Sequence, residues 1–269
     1  MLMGLVGPEC HDMPTQLAGQ SDVLEGTRML ELTKSQETFT FINVKEKPTP
    51  SLLRNFSAPV RCQYPYTNPE LAWLLQCDSD AFSRWNASQL LLTHILLALA
   101  DTHRQNQTMK MSDLLLETYQ ALLDSPQGDF NLLSKLLTLP SENYLLSKMN
   151  MPHVEAIHAA HQFVKRQLGV ILSDHFMTVY QQCIDDDAYQ YNVESMARRS
   201  LKNVCLSYLT ATEQQPFIDL AVKQFDASDN MTDTIGALQA LNHYEGPERL
   251  DRLNAFYECW KSEPLVVNK

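Results

Sequence analysis

Three of the chain's eight histidines fall within nine residues, in the stretch HVEAIHAAH from His153 to His161, with Glu155 among them. Imidazoles and a carboxylate on one helix are the ingredients of a zinc site. In H-E-x-x-H, the two histidines stand four apart on one face and the glutamate beside the first polarises the metal-bound water. The spacing here is different. The histidines are separated by five and by three, and Glu155 stands two residues after His153, which on a helix turns it away. At about 100° per residue, Val154, Ile157, His161, Val164, Leu168 and Ile171 make one apolar stripe. His161 lies inside that stripe, His158 at its edge, and His153 in the first turn beside Pro152. The pattern predicts a packing histidine with two surface neighbours, and a metal contact is the alternative.

Other chemistry-bearing stretches read in the same way. DSDAFSRW and DDDAYQY carry carboxylates, but both lack the glycine and the closing glutamate of a calcium loop. The first reads as a helix cap and the second as a solvated link. ARRSLK gathers Arg198, Arg199 and Lys202, which could clamp a carboxylate or phosphate but read more simply as an ion-paired helix face. The six cysteines, Cys10, Cys62, Cys77, Cys183, Cys205 and Cys259, form no C-x-x-C pair and are expected to be buried free thiols. No G-x-G-x-x-G or G-x-x-x-x-G-K-[ST] occurs, so nucleotide binding has no support.

The elements that must position these residues fall into two parts. At 269 residues the chain can form one large domain or two ordinary ones. RMLELT and ETFTFINV are strand-like, the second alternating, and are expected to pair as a hairpin, with MLMGLVG as a further strand and KPTPSLLRNFSAP running out of the sheet. These strands are too few for a sandwich of their own. From about Asn68, read as a cap before Pro69, helix follows helix. SDAFSRWNASQLLLTHILLALADTHRQ reads as a buried central helix, and one long helix is expected from Pro152 to Cys183. The fold class expected is mainly α: an incomplete amino-terminal β-sandwich over residues 1–60, then an irregular stack of antiparallel helix pairs over 61–269.

A net charge of −11, from 21 basic and 32 acidic residues, disfavours nucleic acid and anionic membranes as partners. No apolar run approaches the roughly 20 residues of a membrane span, and MLMGLVGPECHD lacks a signal peptide's basic start. A cytoplasmic protein is expected.

Several stretches in order, LELTKSQETFTFINV, PSLLRNFSAPV, DSDAFSRWNASQLL, RRSLKNVCLSYL, WKSEPLVVNK and above all KQFDASDNMTDTIGALQAL, resemble the aminopeptidase N family of zinc metallopeptidases. The resemblance runs from near Gly4 to Lys269. It implies an enzyme of four parts: an amino-terminal β domain, a thermolysin-like catalytic domain, a small Ig-like sandwich, and a helical domain covering the active-site chamber. This chain is similar to most of the sandwich and the larger part of the helical domain, truncated at its end. The family's H-E-x-x-H and G-x-M-E-N segments are absent, and no His-Glu dipeptide occurs. The resemblance therefore implies no catalytic, cofactor-binding or metal residue here; zinc and peptide substrates belong to the intact enzyme.

The function expected is that of a non-catalytic aminopeptidase fragment, with the complementary catalytic portion as its partner. Two alternatives stand beside it. One is a stand-alone helical interaction module, motivated by an incomplete sheet with an open edge. The other is an independent metalloenzyme built on His153, His158 and His161.

Overall fold

The computed structural model describes residues 1–124, 129–185 and 188–267. The expected helix stop at Pro126 and Gly128, and Asp186 and Asp187 of the acidic link, lie outside the described residues. The chain is mainly α, with a small β-stranded start and a helical remainder. It divides into two compact units, one built of Met1–Asn106, Ser112–Ala121 and Lys135–Ile157, the other of Gln107–Met111, Leu122–Ser134 and His158–Lys269.

In the first unit, strand β1 (Leu2–Val6) is the middle of a three-stranded antiparallel sheet. Its neighbours are β3 (Arg28–Met29), with Leu2 opposite Met29, and β5 (Thr49–Leu52), with Leu5 opposite Pro50. A second pair joins β2 (Gln16–Leu17) to β4 (Phe41–Ile42). Met3, Leu5, Leu17 and Leu30 form the core, flanked by Phe39, Phe41 and Val44. This corrects the expected hairpin: RMLELT and ETFTFINV contribute to different sheets. The apolar MLMGLVG, with Met3, Leu5 and Val6 buried, competes better for the central position, because burial sets the register. KPTPSLL does not leave the sheet either. Pro50 sits on an edge strand, where a residue without an N–H is tolerated.

These few strands complete their burial on helices of the same unit. α1 (Asn68–Cys77) and α2 (Ala81–Arg104) pack on one another, and β5 packs on α1. Trp73 donates its indole N–H to the Gly7 carbonyl at 3.1 Å, and Cys10 is disulfide-bonded to Cys77. The α1 cap is Thr67 and not Asn68: its hydroxyl accepts from the Glu70 N–H while the Glu70 carboxylate accepts from the Thr67 N–H, a capping box. α2 opens on Asp80, whose carboxylate accepts from the Ser83 N–H at 2.8 Å. Its buried face runs through Ala87, Leu91, Leu92, Ile95, Leu96 and Leu99, as its broad apolar pattern predicts.

Further along lie α3 (Asp113–Asp124), α4 (Phe130–Leu136) and α5 (Glu142–Leu146). Ser112, Asp129 and Ser141 each accept from the backbone N–H three residues on. The expected single helix from Pro152 to Cys183 is two, α6 (Val154–Ile171) and α7 (Ser173–Gln182), because Leu172 leaves helical geometry at φ −108° and ψ 22°. In the second unit follow α8 (Val193–Thr210), α9 (Gln215–Ala227), α10 (Met231–Leu241), α11 (Pro247–Trp260) and α12 (Pro264–Val267). α7 packs on α8 and α9 on α10 as consecutive pairs, and α8 also packs on α10. No helix among the described residues is long and apolar enough to cross a membrane.

Candidate functional site

The histidines of HVEAIHAAH have three separate situations. His153 caps α6, its Nδ1 accepting from the Ala156 N–H at 3.1 Å. His158 is exposed, and His161 is half-buried. The stripe that the wheel predicts is shorter than expected. Ile157, Val164 and Leu168 are buried with Ala156 and Ala160, whereas Val154 and Ile171 at its two ends are exposed. Among the described residues no group of three or more His, Cys, Asp or Glu side chains converges as metal ligands. His153, His158 and His161 do not make up such a group.

Arg198, Arg199 and Lys202 do not form a clamp. Arg198 pairs with Glu194 at 2.9 Å, and Arg199 donates to the Gln190 carbonyl with its guanidinium over the Tyr189 ring. Lys202 turns inward to a short, buried ion pair with Asp233, Nζ to Oδ2 2.7 Å. Around that pair is a polar network of the second unit, and the sequence reading missed it. Asn203 donates to Asp233 Oδ1 at 3.2 Å, and Gln224 donates to Asn203 Oδ1 at 2.7 Å and to the Asp233 carbonyl at 3.0 Å. Tyr180 donates to Gln224 Oε1 at 3.0 Å. Asn230 caps α10 through the Asp233 N–H and also donates to Asp233 Oδ2. Gly236 belongs to the same arrangement, since a β-carbon there would overlap the Asn203 amide.

One polar knot thus joins α7, α8, α9 and α10. Burial, reinforced by the charge of Asp233, pushes the Tyr180 phenol up to about 12. Four of its members, Gln224, Asn230, Asp233 and Gly236, lie in KQFDASDNMTDTIGALQAL. The stretch that carries the family resemblance most strongly is therefore a packing device in this fold. Partners some thirty residues away on α8 hide that role from a linear reading.

The first unit has its own knot at Arg54, fully buried in the turn after β5. Its guanidinium donates to Asp12 Oδ1 and Oδ2 at 2.6 and 2.9 Å, to Thr27 at 3.0 Å and to Ser51 at 2.9 Å. Asp78, beyond the end of α1, pairs with it at 2.9 Å. Burial pushes the Asp12 carboxyl upward, but the bonds from Arg54 and Ser79 outweigh it and hold the group below the usual carboxylate range. At Asp78 burial prevails, and the carboxyl is raised. Beside this knot the Cys10–Cys77 disulfide corrects the expectation of six buried free thiols. Of the other four, Cys183 and Cys205 are buried and Cys62 and Cys259 exposed. Burial pushes the Cys183 thiol up to about 11, which suits an inert packing residue.

Two cavities stand out. In the first unit, one of about 540 Å³ is lined by Phe56, Arg61, Tyr64, Phe82 and Lys148 among others. In the second, one of about 740 Å³ lies among α6, α8, α10, α11 and α12.

Comparison with known proteins gives two family matches in tandem. Residues 3–65 match a domain of unknown function, DUF3458, with an Ig-like fold, and residues 68–269 match the DUF3458_C domain of unknown function, ARM repeats. Aminopeptidase N of Escherichia coli strain K12 is 32% identical over 242 residues, which is 90% of this chain and 28% of that protein. Aminopeptidase N of Haemophilus influenzae is 30% identical over 90% of this chain and 27% of its own length. That of Caulobacter vibrioides is 30% identical over 94% and 29%. Among solved structures, Legionella pneumophila aminopeptidase A in complex with aspartic acid superposes with a TM-score of 0.79 at 27% identity, over 99% of this chain and 31% of that one. The chain spans less than a third of the curated relatives it matches. It belongs to the DUF3458_C family, whose ARM-repeat model covers residues 68–269, with a DUF3458 match of Ig-like fold before it over residues 3–65.

Proposed function

We propose that this chain is the Ig-like and helical portion of a zinc-dependent aminopeptidase N, supplying architecture and no reacting group. The observation that carries the reading is the 32% identity to an aminopeptidase N over 90% of the chain. We place the working boundary near residue 60, with the β-strands before it and the helical domain after it. In the assembled enzyme the helical stack walls the chamber so that peptides enter amino terminus first. Zinc, held by the catalytic portion, polarises the scissile carbonyl and activates water. The chain's partner is that complementary portion, and its place is the cytoplasm.

The test is reconstitution. The purified chain with zinc should not hydrolyse an alanyl anilide, and mixing it with a separately expressed catalytic portion should restore turnover. Zinc-dependent turnover by the chain alone would overturn the reading.

A second reading, a helical interaction module with no peptidase role, draws on α11. None of its residues is buried, and Leu250 and Tyr257 are 56% and 54% exposed. Exposed apolar residues along one helix suit a protein partner. Binding of a protein unrelated to the catalytic portion, together with failure to restore turnover, would favour this reading.

A further inference from the structure

The cavity of about 740 Å³ in the second unit has an unusual charge pattern for so acidic a chain. Lys165 is a cation on its wall, and among the described residues its lining includes no aspartate or glutamate. Aliphatic and aromatic side chains, Leu238, Leu253, Phe256 and Val266, provide the apolar surface, while Asn203, Gln239 and Asn242 bring amides to it. Lys165 has no hydrogen bond or ion pair among the described residues, unlike its neighbour Arg166, which pairs with Glu213 at 3.7 Å. Desolvation lowers the proton affinity of its amine, as expected of a half-buried cation that lacks a counter-ion. An entering carboxylate would supply that counter-ion.

We infer that this cavity binds an amphipathic monocarboxylate, its head paired with Lys165 Nζ and its apolar body held against Leu238, Leu253 and Phe256. The volume lies within the range of small-molecule pockets, about 300–1,000 Å³. Lys165 supplies the fixed cation for the anionic head, and the amides of Asn203, Gln239 and Asn242 and the His243 ring add polar groups to the wall.

The test is calorimetric titration of the full chain with octanoate, below its micelle concentration, and with 1-octanol. Saturable binding of one octanoate per chain is expected, with octanol about tenfold weaker, the worth of one charge-assisted hydrogen bond. Lys165→Met should weaken octanoate about tenfold and leave octanol unchanged. Leu253→Glu, at a partly exposed position on the cavity rim, should weaken octanoate through like-charge repulsion and carries the test if the lysine variant does not fold. Equal affinity for octanoate and octanol would overturn the inference. So would octanoate binding that neither substitution alters, or no uptake of octanoate at all.

Discussion

Residue 4 is glycine, and the guanidinium of Arg54 occupies the space where a β-carbon on that residue would stand. The central strand β1 and the buried arginine therefore share one volume. Gly4→Ala forces the guanidinium away from Asp12 and Asp78 and leaves Asp78 buried beside a displaced partner. A loss of about 3 kcal/mol is expected, as for breaking a buried ion pair. It should appear as a lower urea midpoint of the first unit's transition with its slope unchanged.

The Cys10–Cys77 disulfide closes a loop across a sequence separation of 67 residues. Its reduction, or the Cys10→Ser and Cys77→Ser pair, should lower stability by about 2–4 kcal/mol. Alkylation of the denatured, unreduced protein should label four cysteines, and six after reduction. Six labels before reduction would show that the bond does not form. That result would suit a reducing cytoplasm, since disulfides persist mainly in oxidising compartments.

Lys202 and Asp233 make a buried pair whose members are 11% and 7% exposed. Asp233→Asn leaves the ammonium without its counter-charge and should cost about 3–5 kcal/mol. Adding Lys202→Met should recover part of the loss, because the uncompensated cation is then gone. Equilibrium unfolding of both single variants and the double variant measures the coupling.

Tyr180 gives the network a pH signature. Its phenol is raised by burial from the ordinary 10 to about 12. Below pH 10 both folded and unfolded phenols hold their protons, and the contribution is intact. Between 10 and 12 only the unfolded chain ionises, so stability falls as pH rises, by at most about 2–3 kcal/mol across the window. Tyr180→Phe should show a shallower decline between pH 10 and 12 than the parent in the same unfolding measurement. Matching slopes would mean the phenol titrates normally.

Local signals were legible to the degree that the physics is local. Asp80, Ser141 and Asn230 can each be read as caps, because a side chain needs only the backbone three residues on. The α6 stripe can be read from periodicity, although its exposed ends Val154 and Ile171 depend on what packs there. The β-rich start is legible in composition, but strand pairing is not. The alternation of ETFTFINV identifies an edge-like segment without naming its partner, and β4 pairs with Gln16–Leu17 across two dozen residues. The same limit hides the polar knots. Lys202 and Asp233, Arg54 and Asp12, and Cys10 and Cys77 are contacts between distant positions, with no short motif to announce them. At the histidine cluster spacing alone weighs against a zinc helix, yet His153 as a helix cap could not be foreseen without the start of α6.

The network running from Tyr180 through Gln224 and Asn203 to Asp233 has a dynamic consequence. Helices fastened to one another through shared donors cannot open singly without stranding a partner's polar group. Amides in the middle of α7, α8, α9 and α10 should therefore exchange with solvent deuterium at one common slow limit, as a single cooperative unit, while those of the superficial α11 exchange earlier. The four helices would then breathe together or not at all.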